Sequence, residues 1–194
     1  MGKSYLIPSK ANERQIEIKK SRFIAYACHV SSRDDVMKRV EDIRRQYVDA
    51  RHYCWAYLLG NPDSASSAAM NDDSEPSGTA GKPILNVIQH KNIGDILVVV
   101  TRYFGGIKLG AGGLTRAYSR AAEEVISTLE LKLCEPVVKL EICCDFSREQ
   151  LVRLWLEKLE ASLKSINYQE KITMQLAISE RQHEALIEYC NQYG

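Results

Sequence analysis

No stretch of this chain is apolar for long enough to cross a bilayer; the run Ile96 to Val100 falls far short of the ~20 residues a spanning helix needs. The N-terminus, MGKSYLIPSKANERQ, has no apolar core of signal-peptide length, so no membrane role is expected and the cytoplasm is the expected compartment. Metal-type spacing is missing too. The six cysteines, Cys28, Cys54, Cys134, Cys143, Cys144 and Cys190, form no CxxC pair. Reduced, buried thiols are expected rather than a zinc centre or a disulfide framework. Neither GxxxxGKS/T nor GxGxxG occurs, which removes the P-loop and the dinucleotide fingerprint. A net charge of +1 is not that of a globally basic nucleic-acid binder, so affinity for phosphate must come from local segregation of charge.

That segregation exists. Between Asp95 and Glu123 there is no acidic residue, although acids (25) nearly equal bases (26) overall. Within this window RYFGGIKLGAGGLTRAYSR, residues 102–120, holds five of the chain's eleven glycines together with Arg102, Lys108, Arg116 and Arg120.

At 194 residues with 45% apolar and 26% charged content, the chain is long enough for one domain or two small ones, each with a core. QIEIKKSRFIAYACHV reads as two strands or one bent strand ending near Val30. Val36, Val40, Ile43 and Tyr47 follow at helical spacing behind the caps Ser31 and Ser32. HYCWAYLLG reads as a strand stopped by Gly60, Asn61 and Pro62. The next twenty or so residues, NPDSASSAAMNDDSEPSGTAG, show no apolar period and read as an unusually long, functional loop. KPILNVIQHKN predicts a short helix with Pro83 in its first turn. DILVVVTRYF predicts a strand covered on both faces and central in its sheet. The helix after the glycines presents Leu114, Ala117, Tyr118, Ala121, Val125 and Leu129 on one face.

Cys134, Glu135 and Pro136 mark a domain boundary, giving domains 1–134 and 135–194. Beyond it the grammar nearly repeats. Two strand–helix units carry Ser-x-x-Gln capping boxes, Ser147 with Gln150 and Ser179 with Gln182, and SLKSINY supplies a strand between them. The resulting β-α-β-β-α order is that of a ferredoxin-like domain without its final strand. Helix capping falls at Gly194, and a truncated chain is the expected reason for the missing strand. The fold class is α+β with two domains.

The chemistry is anion binding in the first instance. A strand delivering glycines to a helix N-terminus presents unpaired amides and the positive end of a helix dipole. Arg102, Lys108 and Arg116 would add charge there. Equally, the glycines could form a plain connection with solvated bases. In NDDSEPSGTAGKP, Asp72, Asp73 and Glu75 could ligate Mg²⁺ or act as acid and base; turn capping and neutralisation of the basic turn are favoured over that. His52 and Cys54 share a strand face, but a buried Cys and an edge His are preferred to a nucleophilic pair. No catalytic residue, metal or cofactor is expected.

NDDSEPSGTAGKPIL, VVVTRYFGGIKLGAGGLTRAYSRAAEEV and ARHYCWAY together closely resemble the IMPACT/YigZ family, over essentially the whole chain. One departure stands out: the family's usual DDGEP is DDSEP here, with Ser74 in place of glycine. The resemblance implies a larger domain like the second domain of a small-subunit ribosomal protein, and a smaller one like the carboxy-terminal domain of elongation factor G. It implies further that eukaryotic relatives regulate translation, and that RNA or the ribosome, or a protein partner in translation control, is bound. The positions it carries over are His52, Asp72, Asp73, Glu75, Arg102, Tyr103, Gly105, Gly106, Lys108, Gly110, Gly112, Gly113 and Arg116. The leading expectation is RNA or ribosome binding at residues 102–120, Arg120 included. The alternatives are an enzyme or nucleotide binder using a small phosphorylated ligand there, and a protein-interaction module.

Overall fold

The structure, a computed structural model, describes residues 3–193; the expectation for Gly194 lies outside the described residues. In chain order the elements are β1 (Tyr5–Pro8), β2 (Asn12–Ile18), β3 (Ser21–His29), α1 (Arg33–Gln46), β4 (His52–Leu59), β5 (Ser67–Asn71), α2 (Gly81–Lys91), β6 (Ile96–Tyr103), α3 (Ala111–Ser127) and β7 (Leu131–Cys134). They continue with β8 (Val137–Cys144), α4 (Glu149–Lys158), β9 (Ser162–Tyr168), β10 (Ile172–Ser179) and α5 (Glu180–Tyr193). The architecture is mixed α+β in two compact units, one spanning Tyr5–Cys134 and the other holding the residues from Glu135 onward.

In the larger unit an antiparallel sheet runs in the order β2-β3-β6-β4-β5. The Ile96 to Val100 run lies at its middle and is fully buried. Alternation along β6 divides that run between two cores. Ile96, Val98 and Val100 pack with Ile84 and Ile88 of α2 and with Leu114 and Tyr118 of α3. Leu97 and Val99 face the other way, onto Val36, Val40 and Ile43 of α1. Both faces are therefore apolar, which is why this strand shows no period-two pattern. Ser32 caps α1, its hydroxyl accepting from the Asp35 amide at 3.2 Å.

The segment expected as a loop after Pro62 contains a single 3-10 turn and β5, which pairs with β4 from Leu59↔Ser67 to Trp55↔Asn71. β5 is a largely exposed edge strand of small and polar residues, so no apolar alternation betrays it. A further short pair, β1 with β7, brings Tyr5 opposite Cys134.

In the smaller unit β8, β10 and β9 form an antiparallel sheet in that order. Across it β8 and β10 pair Leu140↔Leu176, Ile142↔Met174 and Cys144↔Ile172. These pack with Val152, Trp155 and Leu156 of α4 and Leu186 of α5. The capping box expected at Ser147 is not formed. A 3-10 turn at Phe146–Arg148 leads directly into α4, whose N-cap Arg148 makes no side-chain bond. At the second box the Ser179 hydroxyl donates to Gln182 Oε1 at 2.8 Å, a bond between the two side chains.

Candidate anion site at the end of the central strand

Register puts the chemistry at one end of the sheet. On the face covered by α2 and α3, β6 places Arg102 directly between His52 of β4 and Phe23 of β3. Arg102 is only 5% exposed. Its Nη1 donates to Glu75 Oε1 at 2.6 Å, and the same oxygen accepts from the Tyr118 hydroxyl at 2.8 Å. Nη2 reaches the Ser21 hydroxyl at the outer limit of bonding, 3.5 Å, while Nε has no partner at all. A buried guanidinium N–H without an acceptor is costly unless something else accepts from it.

Beside this pair, Cys54 is fully buried. Its thiol donates to the Asp72 carbonyl at 3.0 Å and lies 3.4 Å from the Tyr118 oxygen. Burial, then its acidic neighbours, push the thiol up and keep it protonated. Burial likewise raises Tyr118, with Cys54 and Glu75 adding to it, so the phenol serves Glu75 as a donor. His52 and Cys54 do share a face, but not as a nucleophilic pair. The His52 Nδ1 lies 2.8 Å from the Asp73 carbonyl. A carbonyl only accepts, so Nδ1 carries a proton, and Nε2 is the ring nitrogen left for another partner. Nε2 is 4.0 Å from Glu75 Oε1.

The acidic stretch is a tight turn. The Glu75 amide donates to the Asp72 carbonyl at 2.9 Å, and Asp73 and Ser74 have φ of 40° and 70°. Positive φ at both central residues defines a type I′ turn, whose second central position suits glycine. Ser74 therefore occupies a left-handed conformation. The three carboxylates then diverge. Asp72 accepts from the amides of Gly78, Ala80 and Gly81 at 2.8, 3.0 and 2.8 Å, capping α2 from outside because its own N-cap, Ala80, cannot. Burial alone would raise the Asp72 carboxyl; these amides outweigh it and hold it below its ordinary value. Asp73 takes Arg44 at 2.6 Å on one oxygen and the Tyr53 amide at 2.7 Å on the other. Glu75 turns inward to Arg102. Among the described residues no three His, Cys, Asp or Glu side chains are grouped to hold a metal ion.

After Tyr103 the chain passes the β2–β3 hairpin, where the Gly105 amide donates to the Ser21 hydroxyl at 3.2 Å, and then turns into α3. A Cβ on Gly105 would stand 1.9 Å from the Lys20 carbonyl carbon, so that glycine seats the turn against the β2–β3 hairpin. Gly110, at φ 70°, is the N-cap of α3 and supplies no side chain to its first amides. The first amides of a helix have no acceptor within it. A cleft of about 380 Å³ opens between this turn and the end of the sheet, lined by Arg102, His52, Glu75, Lys108 and Gly110 among others. Tyr103, Arg116 and Arg120 of the basic window lie elsewhere. Tyr103 points to the opposite face, its hydroxyl donating to the Val48 carbonyl and its ring under Arg22. Arg116 is exposed, with Nη1 against Gly112, and does not line the cleft. Arg120 lies along α3 near Glu124, at 4.0 Å.

Arg51 and Phe104 were not among the candidate site residues. Both line the cleft, and Phe104 is 41% exposed. Phe104 had a signal of its own, an aromatic residue directly before a glycine pair in a polar turn. Arg51 had a weak one, standing first in RHYCWAY, where Arg51 and His52 interleave with the aromatics Tyr53, Trp55 and Tyr57 as on many nucleic-acid surfaces.

Residues 19–126 match the Impact N-terminal domain, and residues 142–188 match a domain described as Domain of unknown function (DUF1949). An IMPACT family member from Haemophilus influenzae is 38% identical over 181 residues, 93% of this chain and 88% of its own. IMPACT family member YigZ of Escherichia coli is 34% identical over 175 residues, 90% and 86% of the two chains. Among solved structures, one described as a hypothetical protein is 30% identical with a TM-score of 0.84, covering 100% of this chain and 94% of that one. A match to the family's domain over more than half the residues, with relatives of this identity along nearly the full length, shows that the chain belongs to the IMPACT family.

Proposed function

We propose that this is a translation-associated regulatory protein that holds RNA by its phosphates at the cleft between β6 and the start of α3. The carrying observation is Arg102, a residue lining the cleft whose buried Nε–H has no acceptor, beside a rim that includes an uncapped helix N-terminus. Three kinds of donor converge there: a guanidinium, helix amides and the Lys108 ammonium. The acid-free window on both sides of the turn keeps carboxylates of the same segment from competing. Glu75 neutralises one positive charge, leaving Lys108, Arg51 and the helix dipole in excess.

Translation enters through the family. The resemblance implies eukaryotic members that regulate it, and we assign the same cellular setting here. In the same reading the larger domain is of the kind found as the second domain of a small-subunit ribosomal protein. The β-α-β-β-α unit, with its sheet order β8-β10-β9, is of the ferredoxin-like kind seen at the end of elongation factor G.

The test is RNA affinity as a function of salt. Phosphate contacts release counterions, so log affinity falls linearly with log salt. Lys108→Ala should weaken binding to unrelated RNA sequences alike and lower the salt slope by about 1. Affinity that ignores salt, or no binding to RNA or ribosomes, removes the reading.

A further inference from the structure

We propose that the cleft is built for one nucleotide unit, a single nucleoside monophosphate whose base lies against Phe104 and whose phosphate meets the α3 N-terminus. This rests on the phosphate-binding reading above and adds what the rest of the ligand is. Four features carry it.

The volume, about 380 Å³, sits at the small end of the range for small-molecule sites, about 300–1,000 Å³. It suits one nucleotide and not a duplex.

Phe104 leaves a large ring 41% exposed at the lip. The exposed Arg51 guanidinium stands over it at 5.9 Å from the ring centroid. Stacked planar groups lie about 3.5 Å apart, so a base sandwiched between the two needs about 7 Å. The flexible Arg51 therefore has to withdraw by only about 1 Å. Aromatic and guanidinium planes are the stacking platforms by which unpaired bases are held.

Arg102, more than nine-tenths buried, lines the cleft, and its Nε–H has no acceptor. Together with the amides beginning at Ala111, beneath an N-cap that has no side chain, it supplies donors for an anion.

His52 lines the same cleft. With Nδ1–H committed to the Asp73 carbonyl, Nε2 is the ring nitrogen left to meet a hydroxyl such as that of a ribose. The unit is thus read at base, sugar and phosphate by groups on separate elements. Two sources share this chemistry: a free nucleotide, and the phosphorylated end of a single-stranded RNA.

The experiment is calorimetric titration of the full chain with adenosine monophosphate, ribose phosphate and inorganic phosphate. Competition follows with a short single-stranded RNA carrying or lacking a terminal phosphate. Adenosine monophosphate is expected to bind about tenfold more tightly than ribose phosphate, within the range that stacking one base supplies. Phe104→Ala removes that advantage, bringing adenosine monophosphate down to the affinity of ribose phosphate; Phe104→Leu, which keeps the apolar bulk, also loses most of it. If the terminal phosphate lets RNA displace the mononucleotide, the strand end is the source. If neither RNA displaces it, the free nucleotide is. Adenosine monophosphate binding no better than ribose phosphate, or unaltered in Phe104→Ala, overturns the inference while salt-dependent RNA binding still upholds the phosphate reading. Loss of all phosphate and RNA binding brings down both.

Discussion

Arg102 Nη1 lies 2.6 Å from Glu75 Oε1, with both side chains more than nine-tenths buried. Tyr118 donates to the same oxygen, so the carboxylate is satisfied twice from one side. A charge pair of this kind adds little or no net stability compared with well-packed apolar residues in its place, yet removing one partner alone is expensive. Glu75→Gln should therefore lose about 3–5 kcal/mol in chemical denaturation, because it leaves a guanidinium buried without a counter-charge. The double variant Glu75→Leu with Arg102→Met should recover much of the loss. A single variant of wild-type stability would show that solvent reaches Arg102.

Asp72 sets an acid limit. Its folded carboxyl is held below the ordinary value by the amides of Gly78, Gly81 and Ala80, which together overcome the opposing effect of burial. A folded pKa lower than the unfolded one, about 3.9, gives stabilisation that is complete above the unfolded value and lost as pH falls through the folded one. Unfolding free energy should thus decline as pH is lowered from about 4. Asp72→Asn should be less stable at neutral pH and should decline less steeply on acidification. Parallel pH profiles for the two proteins would contradict this.

The type I′ turn at Asp72 to Glu75 places Ser74 at φ 70°. A left-handed conformation costs a non-glycine residue roughly 1–2 kcal/mol, and glycine gives back about 0.5–1 kcal/mol through its freer unfolded state. Ser74→Gly should therefore raise stability by about 0.5–1 kcal/mol. Ser74→Val should lower it by more, since branching at Cβ aggravates the strain. Thermal midpoints decide the point, and a lowered midpoint for Ser74→Gly would mean the serine hydroxyl has a role of its own.

Much of this fold could be read from pattern because its strong elements are apolar. The Ile96 to Val100 run announced a central strand, and α3 announced its buried face through Leu114, Ala117 and Tyr118. The weak elements stayed hidden for the same reason. β5 is small, polar and exposed, and β1 and β7 have four residues each, too few for a period to emerge. At the site, the basic turn was visible as composition, but its division was not. Lys108 and Arg102 share the cleft while Arg116 and Arg120 do not, and that follows from strand register and helix phase rather than from charge. Glu75 was visible as one acid among three; only the I′ turn, which sends three neighbouring carboxylates in different directions, singles it out for Arg102.

The cysteines were expected to be reduced and buried, and the structure divides them. Cys28 and Cys54 are buried, Cys143 is exposed, and Cys134, Cys144 and Cys190 are half-buried. Reactivity follows the thiolate fraction and access together. Burial, the largest influence on Cys28, pushes its thiol up to about 11, and Cys54 is raised by burial as well. Both should stay unmodified by a thiol-specific reagent at mildly alkaline pH until the protein unfolds. Cys143, on the outward face of β8, should react within the first phase, and Cys143→Ser should abolish that phase alone. Labelling followed by peptide mass analysis assigns each site. Early modification of Cys54 would show that the Glu75–Tyr118–Arg102 cluster opens in the native state, since the thiol can be reached only once that packing parts.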